Sequence, residues 1–320
     1  MANIKEAVVV GYGSIGKKHA LNLQALGLQV MAIADTNEYL EDDGLNTYAP
    51  HYTNVQKCLE KEARGRLVVI ASPNAYHAEQ AITAMYNEAG AVFIEKPMAV
   101  NVPDAEDIDT LSKDFGIPVC VGFNWRYHAG FQKLLTLIST RPGALYINSV
   151  ENVMEWPAVQ KDPHNSHVWN ETGSILFSSM PHAIDLARYV NGQLRTIAAV
   201  MDVPDAGKGN QHITLKADCE MGPVFIYNRW SSTAKDKTNL LLWTSPVDYI
   251  ASDLAHGPMS NGGKTMHLQI MQAFVKKING EEPVDVITLP TTWDGVHVCK
   301  VIDAIERSTE NNTFEEITYE

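Results

Sequence analysis

Ala7-Val8-Val9-Val10-Gly11-Tyr12-Gly13-Ser14-Ile15-Gly16-Lys17-Lys18 decides how the N-terminal part of this 320-residue chain folds. The apolar run reads as a buried strand, and a stretch with helical spacing follows the third glycine. Each glycine has its own reason. Gly11 lets the strand turn tightly, Gly13 removes a side chain where backbone must approach a pyrophosphate, and Gly16 lets the helix lie close to the strand. Tyr12, Ser14 and Ile15 fill the turn, where unpaired N–H groups and the positive end of the helix dipole favour a phosphate. Nineteen residues past Gly16 stands Asp35, at the end of a second apolar run, Val30-Met31-Ala32-Ile33-Ala34. A carboxylate there accepts hydrogen bonds from ribose hydroxyls and repels a 2′-phosphate. Thr36, Asn37 and Glu38 bring no cation to offset that repulsion. The spacing predicts a dinucleotide site suited to NAD over NADP.

Length suits two domains. With 25 Lys and Arg against 38 Asp and Glu, the formal net charge is −13, which argues against a nucleic-acid or anionic-membrane partner. Cys58, Cys120, Cys219 and Cys299 are widely separated, so neither a zinc knuckle nor a disulfide framework is indicated, and buried free thiols in a reducing cytoplasm are expected. No secretory h-region opens the chain, and nowhere do about eighteen apolar residues run together. The expectation is a soluble cytoplasmic protein.

From residue 1 to 121 strand-like and helix-like stretches alternate, as in a doubly wound parallel sheet. Strands are expected at 7–10, 30–34, 67–71, 91–94 and 117–121. Helices are expected over Ala78–Tyr86, with Gly90 as a stop, and from Pro103, whose acidic first turn complements the dipole. From residue 122 to 320 the rhythm changes. Helices over 131–138 and 181–190 frame a strand at 144–156, and strands crowd together at 195–203, 211–219, 223–230 and 239–244 before helices at 265–279 and 293–308. This predicts an NAD-binding domain over 1–121 and, over 122–320, an α/β domain with a large, mostly antiparallel open sheet for substrate binding and oligomerisation. A homodimer or homotetramer is expected.

Ligands of such a fold bind at the C-terminal edges of the strands. The third strand ends in Ser72-Pro73-Asn74-Ala75-Tyr76-His77 and the fourth in Glu95-Lys96-Pro97. Pro73 and Pro97 suit a chain forming a rigid ledge under a flat cofactor. Lys96 is a single cation at that edge, able to hold a substrate hydroxyl and lower its pKa. Gly122-Phe123-Asn124-Trp125-Arg126 follows the fifth strand, bringing Asn124 to the cofactor and Arg126 to the substrate. Farther on, His182 falls in the first turn of a helix with Asp185 on the same face, placed to accept a proton from an alcohol losing hydride. Arg126, Trp156, Lys161, His164, His167 and Trp169 are candidate substrate contacts, since His, Asn and Trp suit a polyol. His164-x-x-His167 has no third ligand at a supporting spacing, so no metal is expected.

Gly11-x-Gly13-x-x-Gly16-x-x-His19, Asp35, Pro73-Asn74-x-x-His77, Glu95-Lys96-Pro97 and Gly173-Ser174…His182-x-x-Asp185, in this order, resemble the Gfo/Idh/MocA oxidoreductases across essentially the whole chain. That resemblance implies an NAD(P)-dependent oxidoreductase acting on a sugar or cyclitol hydroxyl, with Lys96 as catalytic lysine and His182 as catalytic histidine. One departure stands out. Many members carry an aspartate four residues before the histidine, whereas this chain has Ser178, here also a candidate substrate contact, and Met180 where glycine is common. Val121 to His128 and Trp156 to Ser178 look similar to members of surface-sugar biosynthesis, which implies a nucleotide-sugar or amino-sugar substrate. Two alternatives stay open: a non-catalytic NAD-binding regulator of the same fold, and a reductase of a non-sugar substrate.

Overall fold

The computed structural model describes residues 3–40, 49–140, 147–155, 175–178, 180–202, 211–231, 239–244, 249–253, 260–261, 264–281 and 287–319. The chain divides into two compact units, one of residues 1–122 with 267–296 and the other of 123–266 with 297–320.

In the first unit β1 (Glu6–Val10), β2 (Gln29–Ala34), β3 (His51–Tyr52), β4 (Leu67–Ile70), β5 (Ala91–Ile94) and β6 (Val119–Val121) form one sheet in the order β3-β2-β1-β4-β5-β6. Every neighbouring pair is parallel. Helices α1 (Ser14–Ala25), α2 (Val55–Glu62), α3 (His77–Tyr86) and α4 (Val102–Phe115) make the crossovers. Parallel strands covered on both faces are apolar throughout, and Leu67–Ile70 and Ala91–Ile94 are buried at every position. The order in which strands are added reverses between β1 and β4, the switch point where this strand order opens a crevice. Local signals end the crossover helices. Asn101 caps α4 by accepting the Asp104 N–H at 2.8 Å, and Gly116 terminates it at φ 65°.

Residues 267–296 depart from the sequence expectation, which gave them to the second domain. The helix Met266–Ile278 returns to the first unit, where Phe274 packs 6.2 Å from Phe93 and the Asn279 side chain accepts the Ile4 N–H at 2.7 Å. Its apolar stripe of Ile270, Met271, Phe274 and Ile278 demands a cover, but periodicity cannot say which sheet supplies it.

The second unit holds a sheet in the order Tyr249–Asp253, Asn239–Thr244, Ile147–Glu155, Val224–Ser231, Gln211–Cys219, Leu194–Asp202, Glu315–Glu316. Only Ile147–Glu155 and Val224–Ser231 pair in parallel; the others are antiparallel. Ile197, Ile213, Leu215, Val224 and Ile226 are buried, while Val200, Thr214, Lys216 and Phe225 are exposed, so the alternation of the strands separates a covered face from an open one. The helix Met180–Asn191 packs against Ile147–Glu155 and Val224–Ser231.

The cysteines are thiols outside any disulfide: Cys58, Cys120 and Cys299 are buried and Cys219 is half-buried. Burial pushes the Cys58 and Cys219 thiols up to about 12, which makes them inert as nucleophiles.

Candidate functional site

The first unit builds a nucleotide cradle at the C-terminal ends of β1 and β2. Gly11 takes φ 83°, and a Cβ there would lie 2.5 Å from the Ser72 amide nitrogen. A Cβ on Gly16 would lie 1.9 Å from the Gly11 carbonyl oxygen, so α1 can sit this close to β1 only without one. Around Gly13 nothing lies within 4 Å, and no side chain caps α1 there. Open space and uncapped helix-start N–H groups, from Ser14 and Ile15 onward, are what a pyrophosphate requires. Asp35 accepts the Tyr12 N–H at 2.6 Å and the Asn37 N–H at 2.8 Å, which holds its carboxylate at the β2 edge where ribose hydroxyls bind. The donor set fits NAD.

Beyond β4 and β5 the ledge expected from Pro73 and Pro97 is tied together by His77. Its Nδ1 lies 2.7 Å from the Pro97 carbonyl oxygen and its Nε2 2.8 Å from that of Ser72, so the buried ring joins the two strand ends. Burial pushes this histidine below its ordinary value, against the pull of the two carbonyls. Ser72 Oγ donates to Gln80 at 2.6 Å, Pro73 precedes the turn Asn74–Tyr76, and the Lys96–Pro97 peptide is cis. Ser72 and His77 thus use their polar atoms on the protein itself, shaping the ledge.

Glu95 is turned inward. Its Oε1 pairs with His19 Nε2 at 2.7 Å, and its Oε2 accepts the Lys96 N–H at 3.2 Å. A Cβ on Gly122 would approach Oε2 to 3.0 Å. Burial alone would raise the Glu95 carboxyl, but the His19 hydrogen bond and the neighbouring positive charges outweigh it and bring it down to about 2. Lys96 is half-buried. Burial pulls its ammonium below the usual lysine value, and the Glu95 charge pulls the other way. Glu95, expected from the sequence as a cofactor contact, has its carboxylate on an internal pair. His19 has only its place in the motif to mark it in the sequence, and His267, whose ring stands 6.0 Å from that of His19, has nothing. No local signal could reveal His267, because it comes from the returning helix.

In the second unit the turn Asn124–Tyr127 and the helix Met180–Asn191 carry the polar groups. The His182 ring is stacked on Trp125, with centroids 4.7 Å apart and planes 7° from parallel, and lies edge-on to Phe123 at 6.4 Å. Asn124 is buried with its Oδ1 unpartnered. Arg126 differs from its expected role as a substrate contact. It is 1% exposed, donates to both Asp185 oxygens at 2.8 and 2.5 Å, and lies over the Tyr189 ring. This bidentate pair fastens the turn to the helix. Ser178 ends the short helix Ile175–Ser178, half-buried. Trp156, Lys161, His164, His167 and Trp169 lie outside the described residues. Among the described residues no three His, Cys, Asp or Glu side chains form a metal-binding group, and no helix is long and apolar enough to cross a membrane.

Residues 5–123 match the family described as "Oxidoreductase family, NAD-binding Rossmann fold". Myo-inositol 2-dehydrogenase of Thermotoga maritima is 28% identical over 195 residues, 58% of this chain and 54% of that protein. The chain spans about half the length of the curated relatives it first matches. Likeness of fold extends further. The crystal structure of myo-inositol 2-dehydrogenase from Lactobacillus plantarum superposes with a TM-score of 0.79 at 18% identity, over 98% of this chain and 100% of that one. The WlbA dehydrogenase from Bordetella pertussis, solved with NADH and UDP-GlcNAcA, gives 0.80 at 16% identity, over 99% and 100%. Residues 5–123, which hold the glycine cradle, Asp35 and the Glu95-Lys96-Pro97 ledge, are thus similar to the NAD-binding Rossmann domain of the Gfo/Idh/MocA oxidoreductases.

Proposed function

We propose that the protein is an NAD-dependent dehydrogenase acting on a CH–OH group of a sugar or polyol. The observation that carries this reading is Lys96, a half-buried ammonium beside an ionised Glu95 at the ligand edge of the nucleotide-binding sheet. NAD, when bound, supplies the acceptor for the hydride leaving the carbinol carbon. Lys96 donates to the substrate hydroxyl oxygen and stabilises the negative charge that grows there as the C–H bond breaks. His182 takes the hydroxyl proton, and returns it in the reducing direction; its stacking on Trp125 fixes the plane in which its ring nitrogens lie.

Relatives named as inositol dehydrogenases and a neighbour solved with UDP-GlcNAcA support polyols and nucleotide-linked sugars as the substrates to try first. Arg126, committed to Asp185, is not among the substrate contacts we assign. A homo-oligomer formed through the open face bearing Val200 and Phe225 accompanies this reading.

The test is kinetic. NAD reduction is followed across a panel of cyclitols, hexose phosphates and UDP-sugars. Lys96→Met and His182→Ala are each expected to cut turnover by about a thousandfold or more while NAD affinity stays near wild type. Full turnover in either variant removes that residue from the mechanism. NAD binding with no substrate-dependent reduction on any sugar favours a regulator instead.

A further inference from the structure

Three titratable side chains of the first unit gather beside Lys96 and take no part in the proposed proton and hydride transfers. His19 comes from α1, Glu95 from the end of β5, and His267 from the helix Met266–Ile278. The His19 ring is fully buried, 5.1 Å from Phe93 and 6.0 Å from His267. Lys18 on α1 and Lys96 after β5 are the nearby lysines whose charge bears on His267.

The hydrogen-bond pattern settles the form of His19. Its Nε2 lies 2.7 Å from a Glu95 carboxylate oxygen, which can only accept, so Nε2 carries a proton. Its Nδ1 is buried without a partner. His19 is therefore the donor of this bond to Glu95. Burial, reinforced by the Lys18, His19 and Lys96 charges against the pull of Glu95, takes His267 down to about 4. Lys96 follows Glu95 directly, and its backbone N–H binds Oε2 at 3.2 Å, so both carboxylate oxygens are held in place beside the lysine.

We infer that His19 is a positioning residue: its hydrogen bond to Oε1 fixes Glu95 as a carboxylate beside Lys96, and that charge favours the ammonium form of Lys96. The inference rests on Lys96 as the cation of the proposed site, and on nothing about the substrate. It explains why a buried carboxylate stands next to the lysine. Without it, desolvation would favour the free amine, which can neither hold an alkoxide electrostatically nor be restored by solvent as readily. It also explains Gly122, since the packing of Glu95 against this backbone leaves no room for a Cβ without the carboxylate giving way.

The experiment reads the ionisation of Lys96 directly. The full chain without cofactor is acetylated competitively with acetic anhydride across a pH series, and the peptide containing Lys96 is quantified by mass spectrometry, because only the free amine reacts. Glu95→Gln keeps the shape and removes the charge. It should lower the pH of half-maximal labelling by about one unit, a tenfold gain in free amine at fixed pH. His19→Leu removes the donor, favours protonation of Glu95 and should move the midpoint the same way, while His19→Gln, which keeps a side-chain N–H, should restore it. If His19→Leu does not fold, His19→Asn, whose shorter amide cannot span the distance, takes its place. An unchanged or raised midpoint in Glu95→Gln or in the donor-lacking variant overturns the inference, as does a His19→Gln protein that behaves like it. Loss of the dehydrogenase reading would show elsewhere, as full turnover in Lys96→Met, and would leave this labelling result standing.

Discussion

The indole of Trp125 and the imidazole of His182 lie face to face, 4.7 Å between centroids and 7° from parallel. Trp125 reaches this position from the turn after β6, and His182 from the first turn of a helix far along the chain. An aromatic face restricts the ring to one plane and attracts its protonated form, an interaction that contributes about 1–2 kcal/mol when partly desolvated. Trp125→Leu should therefore lower kcat roughly tenfold with NAD affinity unchanged, and Trp125→Phe should lose less. Steady-state kinetics at saturating NAD decides it, and full kcat in the leucine variant would show that the stack does not serve the reaction.

Two glycines of one motif should fail in different ways. Gly13 faces open space at ordinary φ, so Gly13→Ala is expected to melt like wild type and to bind NAD at least about tenfold more weakly, because the methyl occupies the phosphate's place. Gly16→Ala drives a Cβ to within 1.9 Å of the Gly11 carbonyl oxygen and should cost roughly 2 kcal/mol or more in stability. Thermal melts alongside NAD titrations separate the two, and equal melting temperatures would contradict the assigned roles.

Acid should weaken the first unit in two stages. His267 sits at about 4 in the folded chain, so as pH falls from about 6.5 the unfolded chain binds a proton that the folded one refuses, and stability drops until about 4. Glu95, held at about 2, stabilises the fold above its unfolded value near 4.3, and that contribution disappears as pH falls from there toward 2. His77, also pushed down by burial, contributes to the first stage, so His267→Gln should make that stage shallower and leave the second. Denaturant melts from pH 7 to 3 measure both, and an unaltered slope between pH 6.5 and 4 would exclude His267 as its source.

Arg126 and Asp185 should behave as a buried pair. Asp185→Asn leaves a guanidinium without its bidentate carboxylate and is expected to destabilise the second unit by about 3 kcal/mol. Arg126→Met combined with Asp185→Asn should cost less than the two single changes added together. Denaturant unfolding of the four proteins closes the cycle, and strict additivity would mean that the pair does not act as a unit.

Much of the fold was legible in order and kind. The strand runs at 91–94, 211–219 and 239–244 coincide with observed strands, and most of the remaining elements begin or end within two residues of expectation, because a buried parallel strand needs an unbroken apolar run and a half-covered one needs alternation. The destination of Met266–Ile278 was not legible, since its stripe fits either sheet. Among the site residues, the glycines and Asp35 could be read because their function lies in backbone conformation and in distance along the chain. Arg126 was misread for the opposite reason. A lone arginine after a strand looks like a ligand contact until a carboxylate 59 residues away is found on its guanidinium.

By itself the amino-acid order determined the nucleotide cradle, since tight turns, close helix approach and a carboxylate at a strand end are local demands that each select one kind of residue. Only the tertiary structure decided which charges answer one another. His19 with Glu95, Arg126 with Asp185, and Trp125 with His182 are partners brought together from distant elements, and a hydrogen bond or a ring stack depends on a few ångströms of separation that position along the chain does not encode.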